Sequence, residues 1–60
     1  MIDIYINTKS PYKTIKYLNK LNVNIYSIKY SVDGITLKIN KKDLSKVNKF
    51  YHCNIIKEYG

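Results

Sequence analysis

Residues 23–39 read VNIYSIKYSVDGITLKI, and this stretch decides the fold. Asp33-Gly34 is the strongest turn signal in the chain, because Asp and Gly both tolerate the backbone conformations of a tight hairpin. After the turn, Ile35, Leu37 and Ile39 alternate with Thr36 and Lys38. That period of two predicts a strand with one apolar face. Before the turn, Val23 and Ile25 share a parity, but the next large aliphatic residue is Ile28. The slip of one residue predicts a β-bulge or a change of face between Ile25 and Ile28. A second reading makes Tyr26, Ile28 and Tyr30 one face and leaves Val23 and Ile25 as a separate lead-in. Both readings pair the two runs antiparallel, and in the first of them the earlier strand opens at Val23.

Outward from the hairpin, the pattern continues on both sides. Ile2, Ile4 and Ile6 alternate with Asp3, Tyr5 and Asn7, which predicts a first strand. Ser10 is a favourable helix N-cap and Pro11 suits the first helical position. The helix is expected to run to about Leu21, burying Tyr12, Ile15, Leu18 and Leu21 while Lys13, Lys16, Asn19 and Lys20 face out. Asn22 can close it in a left-handed conformation. After the hairpin, Asn40 can cap a second helix and Asp43 places negative charge in its first turn. Leu44, Val47 and Phe50, with Tyr51, form its apolar stripe. Cys53 to Tyr59 reads as a fourth strand with Cys53 and Ile55 inward.

The order β-α-β-β-α-β, with right-handed crossovers, puts two helices on one face of a four-stranded antiparallel sheet. The expectation is an α+β, ferredoxin-like arrangement forming one domain over residues 1–60. Ile4, Ile15, Leu18, Ile25, Leu37, Val47 and Ile55 are its expected shared core. Tyr5, Tyr26 or Tyr30, Thr36, Lys38 and Ile56 are expected on the open face.

Composition narrows the function classes. A chain of 60 residues buries only roughly 60% of the surface its unfolded form exposes, leaving hardly any room for an enclosed active site. One cysteine excludes an internal disulfide and fits a reducing compartment. Apolar runs fall far short of the ~20 residues of a membrane helix, and Met1 leads into Ile2-Asp3-Ile4 rather than a signal-peptide pattern. The net charge is +7, built from eleven basic residues that are all Lys. Arg, the usual bidentate phosphate reader, is missing. Together with ten Ile and seven Asn, the Lys excess has two sources to weigh: AT-rich codon bias and a preference for anionic partners.

One family resemblance emerges from the order of residues. Leu18-Asn19, Val23, Ile25 and Ile28, then Gly34-Ile35, Ile39, Asp43-Leu44 and the closing Ile55 to Gly60 resemble the N-terminal domain of the YqfD (stage IV sporulation) family of Firmicutes. The resemblance spans nearly the whole chain. It implies a domain at the start of a longer, membrane-associated sporulation protein, and it implies no reaction and no catalytic residues.

Catalytic patterns are sparse. His52 and Cys53 are adjacent, and neighbours on a strand point to opposite faces, so they do not form a nucleophile-base pair. Two ligands also fall short of a metal site. The expected roles are a buried structural Cys53 and an exposed His52 at a helix end. Asp3, Asp33, Asp43 and Glu58 are spread over separate elements, which disfavours a paired-carboxylate site. Two glycines make no phosphate-cradling loop. No enzyme activity, cofactor or small-molecule substrate is expected.

Two binding readings stand beside this. Tyr5 in Ile4-Tyr5-Ile6 matches the base-stacking position of an RNA-recognition sheet, but the strand Gly34 to Ile39 carries no aromatic to complete it. Lys–phosphate contact needs no such signature. The favoured reading is a non-catalytic protein-interaction or assembly module, cytoplasmic and held at the membrane surface through a longer parent chain. Its expected surface is Tyr5, Tyr26, Tyr30, Thr36 and Lys38, contacting a protein partner or a second copy, with weak nonspecific nucleic-acid or anionic-membrane contact in addition. Tyrosines suit such a surface because they offer large area at low entropy cost.

Overall fold

A computed structural model describes residues 1–60. The elements are β1 (Ile2–Asn7), α1 (Pro11–Lys20), β2 (Ile25–Tyr30), β3 (Gly34–Ile39), a 3-10 turn (Lys41–Asp43), α2 (Leu44–Asn48) and β4 (Cys53–Glu58). The four strands form one antiparallel sheet in the order β2-β3-β1-β4. This is the ferredoxin-like α+β arrangement that the sequence predicts. No helix is long and apolar enough to cross a membrane.

The core lies between the helices and one sheet face. Ile2, Ile4 and Ile6 of β1 meet Ile35, Leu37 and Ile39 of β3, with Leu18 from α1 and Val47 from α2, all fully buried. The alternation of both central strands is therefore spent entirely on this face. Val23, also buried, precedes β2 rather than opening it. Asn22, at φ 62°, turns the chain out of α1. Val23 N–H then donates to the Leu18 carbonyl and Asn22 N–H to the Asn19 carbonyl, each at 3.1 Å. These two bonds serve the last carbonyls of the helix, the Leu18 oxygen being shared with Leu21 N–H at 3.1 Å.

Several expectations need correction. Tyr12 is 73% exposed, and the buried positions of α1 are Thr14 and Leu18, flanked by Ile15 and Leu21. Residues spaced by three fall 60° short of a full turn at each step, so a run from 12 to 21 walks halfway around the helix. Ser10 caps nothing through its side chain. Instead its N–H donates to Thr8 Oγ1, and Thr14 Oγ1 donates to the Ser10 carbonyl, both at 3.1 Å. Helix α2 is a single five-residue turn, which leaves Phe50 exposed and Ile55 48% exposed despite its inward parity. Asp33-Gly34 does turn the chain, but neither residue has positive φ. Gly34 is needed for close approach. A Cβ there would come within 2.7 Å of Tyr5 Oη and closer still to the Ile6 carbonyl oxygen.

The predicted slip in β2 is present. Ile25 opposes Ile39 while Ser27 opposes Lys38, so Tyr26 is the extra residue of a bulge. A second register shift, between Asp3 and Ile4, leaves Ile56 of β4 without a partner on β1.

Candidate interaction surface

The open sheet face brings together part of the predicted set. Tyr5 lies opposite Thr36, and Asp3 opposite Lys38. Asp3, Thr36 and Lys38 line a shallow depression of about 120 Å³ with Ser27, Lys29 and Tyr59. Tyr59 reaches back over the sheet. Its hydroxyl donates to Asp3 Oδ2 at 2.6 Å, and the ammonium groups of Lys38 and Lys57 sit 4.6 and 4.8 Å from its ring centroid. The Asp3 carboxylate beside it raises the Tyr59 phenol above its ordinary range, since the hydrogen bond requires the proton.

Tyr5 is anchored rather than presented. Its ring passes over Gly34, and its hydroxyl donates to Asp33 Oδ1 at 2.5 Å. That bond, with the carboxylate's charge, holds its phenol above the usual value as well. The missing side chain at Gly34 is what lets the ring lie down, so Tyr5 and the hairpin turn are one structural unit.

Tyr26 and Tyr30 do not join this face. Tyr30 lies opposite the buried Ile35, which places it on the helix side of the sheet. The bulge keeps Tyr26 on that side too, next to Ile25 and its partner Ile39. There Tyr26 Oη accepts a 3.1 Å hydrogen bond from Asn40 Nδ2. The positions beside Thr36 and Lys38 belong to Lys29 and Ser27. Ile56 sits at its own bulge and is exposed. The sequence reading missed Ser27, Lys29, Asp3 and Tyr59. A strict count across the Ser31–Gly34 turn pairs position 27 with 38 and 29 with 36, so the first two were accessible. Tyr59 lies beyond the last strand and carries no periodic signal.

What Tyr26 and Tyr30 do share is the free edge of the sheet. Strand β2 is terminal, and along it Tyr26, Ile28 and Tyr30 are 52%, 39% and 64% exposed. Ser31 N–H donates to the Gly34 carbonyl at 3.0 Å. The constant register from there alternates bonded and non-bonded pairs, so Lys29 and Ser27 aim their backbone groups at β3. Ile28 and Tyr30 aim theirs at solvent. An edge with apolar side chains and open backbone groups is a template for another strand.

The charge is unevenly placed. Each of the four acids is engaged: Asp3 with Tyr59, Asp33 with Tyr5, Asp43 with Lys46 at 3.5 Å and Glu58 with Lys41 at 2.8 Å. The hydrogen bond and charge of Glu58 raise the Lys41 ammonium pKa, and those of Lys41 lower the Glu58 carboxyl. Helix α1 carries no acid at all. Its Lys13, Lys16 and Lys20 surround Tyr17 along a shallow groove, with the Tyr17 ring braced edge-on against Phe50 at 5.1 Å.

Cys53 is half-buried, and its thiol donates to Asn48 Oδ1 at 3.0 Å. Burial pushes that thiol's pKa up. No cluster of three His, Cys, Asp or Glu side chains forms anywhere in the chain. Among known proteins, no family model, curated sequence or solved structure matches this chain.

Proposed function

We propose that this chain is a non-catalytic protein-interaction or assembly module that binds by strand pairing along β2. The observation that carries the reading is the β2 edge itself. Three large side chains stand exposed beside backbone groups that no partner within the chain satisfies. Edge pairing supplies affinity through main-chain hydrogen bonds and specificity through alternate side chains. The resemblance to the YqfD N-terminal domain fits this role, and with it a cytoplasmic position at the membrane surface as part of a longer sporulation protein. The surface therefore differs from the open-face set Tyr5, Thr36 and Lys38. Tyr26 and Tyr30 remain in it, now with Ile28. Cross-linking the tagged chain in its own cells tests this. The double variant Tyr26→Ser/Tyr30→Ser, folded by its amide spectrum, should lose the cross-linked protein that the parent captures. A double variant that retains every cross-link defeats the reading.

A second reading, polyanion contact, draws on the Lys13, Lys16 and Lys20 row of α1, which no carboxylate offsets. Nucleic acid is the partner with the matching charge. Binding to single-stranded RNA should be weak, vanish above ~0.2 M salt and ignore Tyr5→Ala, as Lys–phosphate contact does. Replacing the three lysines by Gln should reduce the salt slope by about two, at ~0.7 per phosphate contact. Tyr5-dependent, salt-resistant binding would instead point to base stacking on the open face.

A further inference from the structure

The β2 edge is complementary to itself, and this identifies its occupant. We propose that two copies of the chain pair β2 with β2, antiparallel about a two-fold axis at Ile28, joining their sheets into one. The inference rests on β2 being the working edge and adds the partner and the register.

Hydrogen-bond phase restricts the register first. Only residues whose backbone groups face solvent can form bonded pairs across the new seam, and on β2 these include Ile28 and Tyr30. An axis at Ile28 puts Ile28 opposite its own copy in a reciprocally bonded pair. Tyr30 then faces Tyr26 of the other copy, and Lys29 faces Ser27. An axis one residue later would also meet the bonding pattern, but it sets Lys29 directly against Lys29. Like charges in opposed positions are destabilising, so the Ile28 axis is preferred. Side-chain direction agrees. Ile28 and Tyr30 lie on the helix side and Ser27 and Lys29 on the open side, so every facing pair shares a side.

Charge supports a second copy over a foreign acidic strand. On a chain of eleven lysines, β2 carries only Lys29. Sheet edges that avoid pairing are commonly protected by several Lys or an inward charge. The opposite edge, β4, is broken in mid-strand by its register shift and carries Lys57 and Glu58. The bulge at Tyr26 limits the seam to about five residues a side, within the small interface class below ~1,200 Å². Two copies of net charge +7 also repel one another at long range. The dimer is therefore weak at low salt and tightens as salt screens that repulsion, whereas an acidic partner would be released.

Sedimentation velocity on the parent chain over a concentration series, at low and at moderate salt, is the test. Ser27→Lys creates two symmetry-related Lys–Lys pairs and should weaken the dimer by about tenfold at low salt, while Ser27→Glu should tighten it by about as much. Ile28→Pro removes an N–H that faces solvent in the single chain, so the fold should survive and the dimer should vanish. Three results would overturn the proposal: a chain monomeric at millimolar concentration, equal effects of Ser27→Lys and Ser27→Glu, or a folded Ile28→Pro variant that still dimerises. Should Ile28→Pro fail to fold, the Ser27 variants still decide. A monomeric chain whose Tyr26/Tyr30 variant nonetheless loses a cross-linked protein would leave strand pairing to a foreign partner standing, with only the second copy excluded.

Discussion

Ile4 and Ile55 lie opposite one another on neighbouring strands and point to the same side of the sheet, yet Ile4 is fully buried and Ile55 keeps nearly half its surface. Leu37 and Ile28 repeat the contrast across the other seam. Residue type and parity are the same within each pair, or nearly so. What differs is the column of the sheet: β1 and β3 are central, β2 and β4 are edges. Alternation along a strand fixes which face a side chain takes, and the position of the strand decides whether anything covers it. The short α2 sharpens the difference, because one turn of helix does not extend over β4.

The sharpest way to break this comparison is a matched truncation. Leu37→Ala should cost about 2–5 kcal/mol, a large share of the ~3–9 kcal/mol expected for a chain this size. Ile28→Ala, its cross-strand neighbour, should cost less than half as much. Urea denaturation of both variants measures the ratio, and equal losses would erase the distinction between centre and edge.

Next in size is Gly34→Ala, at about 1–3 kcal/mol, because the added methyl overlaps the Ile6 carbonyl. Combining it with Tyr5→Ala should recover little of that loss. The tyrosine ring can be removed, but the backbone of the central strand stays where it is. Full recovery in the double variant would assign the strain to the ring instead.

The smallest effects belong to the exposed polar contacts. Tyr5 and Tyr59 are both held above the ordinary 10.0, each by a carboxylate that accepts the hydrogen bond of its protonated hydroxyl. A raised folded-state value means that their contribution is intact below pH 10 and is lost as pH climbs through the folded values. Asp33→Asn should return one tyrosine towards the ordinary value and Asp3→Asn the other, read by ultraviolet titration of tyrosinate. Glu58 runs the opposite way. Its depressed value gives a contribution present above 4.5 and lost as pH falls through the folded value, and Glu58→Gln at neutral pH should leave the melting temperature unchanged within error.

Much of the fold was legible because local chemistry and global arrangement agree. The Ile2-Ile4-Ile6 and Ile35-Leu37-Ile39 alternations, Pro11 at a helix start, Asn22 at its end and the slip after Ile25 each report a short-range preference that the tertiary structure keeps. Tyr12 and the open-face assignment of Tyr26 and Tyr30 failed on phase, the first around the helix and the others across the turn and the bulge. Ile55 failed for a different reason, because what covers a strand is not encoded in the strand's own pattern. Gly34 belongs with Ile55: the residue was conspicuous, but its reason sits across the sheet at Tyr5 and Ile6.

The strand order has a consequence for how the chain reaches this state. Strand β1 occupies the middle of the sheet, but its neighbours β3 and β4 are made later, and β4 is almost the last segment of residues 1–60 to leave a ribosome. Only the β2–β3 hairpin joins strands that are adjacent in sequence. Tyr59 N–H donates to the Met1 carbonyl at 2.9 Å, so the first residue waits for the fifty-ninth. Pairing of this kind must meet the entropy of closing long loops before it gains any contact, which slows folding relative to a helical chain of equal size. During synthesis the apolar face of β1 stays uncovered until the rest of the sheet arrives, and a chaperone that holds short Ile-rich segments would find its target in the first six residues.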